Sequence, residues 1–108
     1  MSEEVVFQII LHAGNARSLA MEAISLAKNN DIDGAKQRLE DAKKEILDAH
    51  ETQTEFIQKE SRGEKTDVTL LLVHAQDHFM NAVAVKDLAI EFVDLYEKLD
   101  LTGEVKPS

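Results

Sequence analysis

The sequence predicts an all-α protein, an antiparallel three-helix bundle of long helices. Its apolar residues are mostly Ala, Leu, Ile and Val, with no Trp, four Phe and one Tyr, a composition that favours packed helices over a sheet. A single proline and four glycines leave few breaks, and apolar residues recur every three or four positions, which is the helical period. At 108 residues we expect one domain over residues 1–100, followed by a flexible tail, 101–108, that lacks this period.

Helix one is predicted from Ser2 to Lys28, with Ser2 as its N-cap. Gly14 in its middle costs about 1 kcal/mol in helix propensity, so we expect either a close backbone approach by another helix or a merely tolerated glycine. The positions predicted to face the core are Val6, Ile9, Ile10, Ala13, Ala16, Ala20, Ile24 and Ala27.

Helix two is predicted to follow Asp31, which can cap its free amides, and to run to Glu60. Its apolar stripe is narrow and the remaining positions are charged, so we expect one side to face water as a solvated surface. The stripe consists of Ile32, Ala35, Leu39, Ala42, Ile46, Ala49 and Phe56.

Helix three is predicted from Asp67 to Leu99, after a short loop from Ser61 to Thr66. Gly63 is available for a positive φ and Thr66 for the N-cap, and so short a connection implies antiparallel neighbours. The apolar residues of this helix point in nearly every direction, more than two sibling helices can cover, which predicts a homo-oligomer of closed cyclic symmetry. They are Val68, Leu70, Leu71, Leu72, Val73, Phe79, Met80, Val83, Val85, Leu88, Ile90, Phe92 and Val93.

The net charge of −9 argues against nucleic acid and anionic membrane surfaces as partners, because no basic stripe is present to bind phosphates. Without cysteine the chain forms no disulfide, which is compatible with a reducing compartment. The N-terminus carries acids where a signal peptide carries bases, and the apolar runs are far shorter than the roughly 20 residues that span a bilayer. We therefore expect a soluble cytoplasmic protein without direct membrane insertion.

A polar stripe interrupts the most apolar helix. His74, Asp77, His78 and Asn81 stand at i, i+3, i+4 and i+7 and so share one helical face. Ionisable groups in such a segment must be paired, bound to an ion or used for chemistry. Spacing alone leaves three interpretations open: a buried hydrogen-bonded network, a metal site, or a reactive neutral histidine. The other two histidines are predicted to be structural, His12 as a satisfied boundary residue and His50 as an exposed one.

Two segments carry a specific resemblance, HAGNARSLAMEAI on helix one and LLLVHAQDHFMNA on helix three. With them the chain resembles, over nearly its whole length, the IIA component of the lactose and cellobiose (N,N′-diacetylchitobiose) branch of the bacterial sugar phosphotransferase system. In that family the fold is a long three-helix bundle assembled as a homotrimer.

The resemblance implies that His74 is phosphorylated. It implies that Asp77 meets its two symmetry mates at the trimer axis around one divalent cation, taken as Mg²⁺. Gln76 and His78 would be supporting polar groups near the phosphate.

The resemblance also implies the route of the phosphoryl group, which passes from the general phosphocarrier protein HPr to the cysteine of a IIB component during uptake of lactose, cellobiose or chitobiose type sugars. The alternative function is a nonenzymatic helical oligomer with a structural His/Asp metal site. A hydrolytic enzyme has little support, because no Gly-rich phosphate loop, nucleophile elbow or HExxH motif occurs.

Overall fold

The computed structural model describes residues 3–99, which form three helices: α1 (Glu3–Lys28), α2 (Ile32–Ser61) and α3 (Leu70–Lys98). The all-α, three-helix prediction is therefore confirmed. The expected cap at Ser2 and the expected tail, 101–108, lie outside the described residues.

The helices run up, down and up. At one end of the bundle Val6 near the start of α1 belongs to the same buried cluster as Phe56 near the end of α2 and Phe79 in the first half of α3. At the other end Ala27 of α1 clusters with Ala35 of α2 and with the last turns of α3. Thus α2 is antiparallel to both neighbours and α1 is parallel to α3. Helix α1 packs extensively against both other helices, whereas α2 and α3 touch each other less.

The core is built mainly of alanine, which lets the helix backbones approach closely. Among residues 3–99, eleven of the 17 buried apolar residues are Ala. The stripes predicted for helices one and two supply most of the core, so those predictions are confirmed. Their buried members are Val6, Ile9, Ala13, Ala16, Ala20, Ala27, Ala35, Leu39, Ala42, Ala49 and Phe56.

The turn between α1 and α2 follows the sequence prediction. Asn30 adopts a positive φ of 65°, a conformation that asparagine tolerates better than most residues. The amide of Asp31 then donates to the carbonyl of Leu26 over 2.8 Å, which satisfies a terminal carbonyl of α1. The Asp31 carboxylate accepts from the Gly34 amide at 3.0 Å, so it caps α2 as predicted.

The predicted start of helix three is wrong by one turn. Thr69, not Thr66, is the N-cap: its backbone is extended and its hydroxyl accepts from the Leu72 amide at 3.1 Å. Thr66 is half-buried and lines a cavity between the ends of α2 and α3 together with Phe56 and Leu72. Gly63 takes the expected positive φ, 85°.

Large apolar side chains remain on the outside of α1 and α3. We call this surface the outer apolar face; its members are Phe7, Leu11 and Met21 of α1 with Leu70, Val73, Met80, Leu88, Phe92 and Leu95 of α3. Large apolar patches exposed on a protein surface mark interaction sites. Among residues 3–99 no helix is long and apolar enough to cross a membrane.

Candidate histidine site on helix three

The polar stripe lies on the surface of the protomer. His74, Asp77 and Asn81 are exposed and His78 is half-buried. No polar or charged side chain is fully buried within residues 3–99. The buried hydrogen-bonded network that the spacing allowed is therefore wrong for a single protomer.

His74 and His78 lie together on the flank of α3 that faces α1. Their rings stack with centroids 5.8 Å apart and planes inclined by 10°. His78 packs against α1 at Gly14: a Cβ built at Gly14 would lie 3.4 Å from His78 Nε2, at the near edge of ordinary van der Waals contact, and no backbone atom of another helix within the described residues would lie within 4 Å of it. The close backbone approach expected at Gly14 is therefore wrong, and the neighbour of this glycine is an imidazole. His74 remains exposed.

Gln76 is not part of this histidine pair within one protomer. Gln76 is two positions after His74 in the sequence, so its side chain is turned by about 200° around the helix axis relative to that of His74. It faces α2, where Gln53 Nε2 donates to Gln76 Oε1 over 2.5 Å. Of the residues predicted to surround a phosphate, the structure brings together His74 and His78 but not Gln76.

Asp77 stands in the outer apolar face, one turn from Val73 on one side and from Met80 on the other. Its carboxylate is exposed and has no ion-pair partner among the described residues. A single exposed carboxylate supplies only one or two of the about six oxygen ligands that a divalent cation such as Mg²⁺ takes. Asp77 would make a stronger cation site if other copies of the chain brought their own Asp77 to it.

The three ionisable members of the stripe do not converge on a point where one protomer could hold a metal. Within residues 3–99 the one His, Asp and Glu group that does converge is His12, Glu45 and Asp48. Its main contact is a hydrogen bond of 2.6 Å between His12 Nδ1 and Glu45 Oε2, which joins α1 to α2. The boundary role predicted for His12 is confirmed, but its partner, 33 residues away, was not foreseen.

His50 is exposed, as predicted. Its ring stacks on Phe79 with centroids 6.4 Å apart. His50 therefore lies between α2 and α3, on the other side of α3 from the pair formed by His74 and His78.

Arg17 is a candidate site residue that the sequence pattern did not single out. It lines an open groove between α1 and α3 together with Gly14, Ser18, Met21 and His78, which we call the seam groove. The signal was present in HAGNARSLA, where Arg17 and Ser18 stand three and four residues after Gly14 and so share its helical face.

Fold and site together define a class of protein, a helical bundle that presents an exposed histidine beside an apolar surface suited to other copies or partners. The sequence model of the phosphotransferase system lactose/cellobiose-specific IIA subunit matches residues 4–97. The chain belongs to this family, which confirms the resemblance found in the two segments. It is a IIA component of the sugar phosphotransferase system, a phosphocarrier that transfers phosphoryl groups through a histidine.

Individual relatives agree with this assignment. The lichenan-specific phosphotransferase enzyme IIA component of Bacillus subtilis (strain 168) is 59% identical over 97 residues, covering 90% of this chain and 88% of that protein. The crystal structure of the cellobiose-specific enzyme IIA from Bacillus anthracis superposes with a TM-score of 0.88 at 54% identity, covering 92% of this chain and 93% of that one.

A third relative was solved with a partner. The IIA(Chitobiose) protein of Escherichia coli, in solution structures of its complex with HPr, superposes with a TM-score of 0.78 at 39% identity, covering 90% of this chain and 94% of that one. Membership of a phosphocarrier family replaces the alternative function, a nonenzymatic oligomer built on a structural metal.

Proposed function

We propose that His74 is the histidine that carries the phosphoryl group. The observation that supports this choice is its exposure beside the outer apolar face, where a partner protein can reach a ring nitrogen. His12 is bonded to Glu45 and His78 is half-buried against Gly14. His50 is exposed, as His74 is, but it stacks on Phe79 between α2 and α3, away from the outer apolar face.

A neutral imidazole can accept the phosphoryl group without a base, because one ring nitrogen keeps its lone pair. The bond from phosphorus to nitrogen in the donor phosphohistidine breaks as a bond from phosphorus to His74 forms. In the second step that bond breaks as phosphorus bonds to a cysteine sulfur of the acceptor. Both transfers pass through a loose, nearly in-line transition state, so the proteins act mainly by positioning the two side chains.

The donor proposed here is HPr and the acceptor is a IIB component. The E. coli IIA relative forms a complex with HPr, which supports the donor. The relatives act in lichenan, cellobiose and N,N′-diacetylchitobiose systems, which supports a role in uptake of cellobiose and chitobiose type sugars. These partners and the absence of cysteine suit the cytoplasmic location predicted from the sequence.

The functional particle is proposed to be a homotrimer in which α3 lies nearest the axis. The outer apolar face provides the apolar surface for such contacts, and Asp77 stands within it. Three carboxylates brought together repel one another by about 1–4 kcal/mol per pair at a separation of 4 Å. Carboxylate oxygens are ligands that Mg²⁺ accepts. The three Asp77 carboxylates of the trimer would therefore share one ion, whose role is to neutralise their charge.

The acceptor assignment is tested by phosphorylating the chain with phosphoenolpyruvate, the upstream phosphotransferase and HPr, and observing phosphorus NMR. Wild type should show one phosphohistidine signal, and the His74→Gln variant should show none. His50→Gln is the matched control, since it removes an exposed imidazole elsewhere and should label normally. Labelling of His74→Gln at the wild-type level would overturn the assignment.

A further inference from the structure

A phosphoryl group on His74 presents an electrostatic difficulty. The group carries about −1.5 to −2 charges near pH 7, the chain already carries −9, and Asp77 stands one turn away. The first basic residue that follows on α3, Lys86, pairs with Asp87 at 2.7 Å. A cation supplied by another helix would offset the charge of the phosphoryl oxygens.

Arg17 on α1 is positioned to supply this positive charge. Gly14 lies opposite His78, and Arg17 follows Gly14 by one turn on a helix parallel to α3. Long side chains on a helix lean toward its N-terminus, which for Arg17 is the direction of His78 and then of His74. Arg17, Ser18 and His78 line the same groove.

The guanidinium of Arg17 also forms no ion pair with the described residues. The other two arginines are paired, Arg38 with Glu22 at 3.6 Å and Arg62 with Glu64 at 3.2 Å. The side chain of Arg17 is exposed. A guanidinium in an open groove can offer two parallel N–H donors to a phosphate, which makes it a better phosphate ligand than an ion-paired arginine.

Building on the proposed assignment of His74 as the phosphoryl acceptor, we propose that the seam groove binds the phosphoryl oxygens of phosphorylated His74, with Arg17 as the principal ligand and the Ser18 hydroxyl as a second donor. Met21 and His78 also line this groove. Arg17 thus stabilises the phosphorylated state, while His74 alone forms the covalent bond.

The test compares wild type with Arg17→Gln, which keeps length and polarity but removes the charge. Charge-assisted hydrogen bonds of this kind change an equilibrium constant by a factor of about 10 to 100. We therefore expect Arg17→Gln to need about 10-fold more phosphorylated HPr than wild type to reach the same phosphorylated fraction at equilibrium. Arg38→Gln is the matched control and should behave as wild type. Circular dichroism and sedimentation establish that each variant keeps its helices and its oligomeric size.

A second readout separates phosphate binding from docking of HPr. The phosphorylated protein, purified away from its donor, is titrated by phosphorus NMR. A nearby guanidinium favours the dianionic phosphoryl group, so Arg17→Gln should raise the apparent pKa of that group, Arg17→Lys should raise it less, and Ser18→Ala should produce a smaller shift in the same direction. An arginine that only contacts HPr would leave this titration unchanged.

The outcomes distinguish the two proposals. If wild type labels at His74 and Arg17→Gln matches it in both equilibrium and titration, the groove proposal is overturned while the acceptor assignment stands. If the label persists in His74→Gln, the acceptor assignment fails whatever Arg17 does. Should Arg17→Gln misfold, the titrations of Arg17→Lys and Ser18→Ala decide the matter, and wild-type values in both would reject the proposal.

Discussion

Gln53 on α2 and Gln76 on α3 are joined through their side-chain amides, with Gln53 Nε2 donating to Gln76 Oε1 over 2.5 Å. This bond lies between the two helices that touch each other least. It also holds Gln76 on the flank of α3 away from His74. Within a protomer Gln76 thus acts as a structural tie between helices, whereas the family resemblance implies a role beside the phosphate.

The variant Gln53→Ala should separate these roles. Loss of one partly buried hydrogen bond should lower the free energy of unfolding by about 1 kcal/mol, as measured by urea denaturation at fixed protein concentration. Phosphorylation of His74 should stay within twofold of wild type. The exposed Gln58→Ala serves as the control and should change neither quantity. A strong loss of phosphorylation in Gln53→Ala would instead link Gln76 to the phosphate.

Gly14 should be sensitive to size because of the ring it accommodates. A Cβ at this position would already lie 3.4 Å from His78 Nε2, so the methyl groups of Gly14→Val would displace the imidazole and remove the stack beneath His74. We expect slower phosphorylation and altered ¹⁵N shifts for both histidines. The neighbouring Asn15→Val is a control for adding a β-branched residue to α1, and equal effects of the two variants would contradict this account.

Replacement of Asp77 tests the proposed cation site. Asp77→Leu should lose the bound divalent ion, detected by elemental analysis of the purified protein, because no carboxylate remains to hold it. The trimer should persist or gain stability, since three like charges are replaced by apolar side chains. Stoichiometric metal retained in this variant would show that the ion is bound elsewhere, with His12, Glu45 and Asp48 the first group to examine.

The outer apolar face should fail as an interface when a charge is introduced. Met80 is 58% exposed in the protomer and lies one turn from Asp77. We expect Met80→Glu to shift the protein from trimer to monomer in sedimentation velocity, because it adds negative charge to an apolar contact beside the Asp77 carboxylates. Leu47→Glu on α2 is the matched control at 55% exposure. Dissociation by Leu47→Glu but not by Met80→Glu would place the interface on α2.

Local sequence patterns predicted the helices well. The three-residue and four-residue spacing identified the buried stripes of α1 and α2, and Asp31 was recognised as a cap because its carboxylate bonds to an amide only three residues away. The start of α3 was not recognised, since Thr66 and Thr69 are both competent caps by local chemistry. The structure places the cap at Thr69, whose hydroxyl accepts from the Leu72 amide.

The sequence by itself determined the helical class, the narrow stripes that face the core, the excess apolar surface of the third helix and the motif around His74. These properties depend on residues within a turn or two of one another in the sequence, so they can be predicted from the periodicity and spacing of those residues. The tertiary structure alone decided that His12 bonds to Glu45, that Gln76 turns to Gln53, and that Gly14 and Arg17 flank His78. Such pairs depend on how each helix is rotated and shifted against its neighbours, which is set by packing of the whole alanine core.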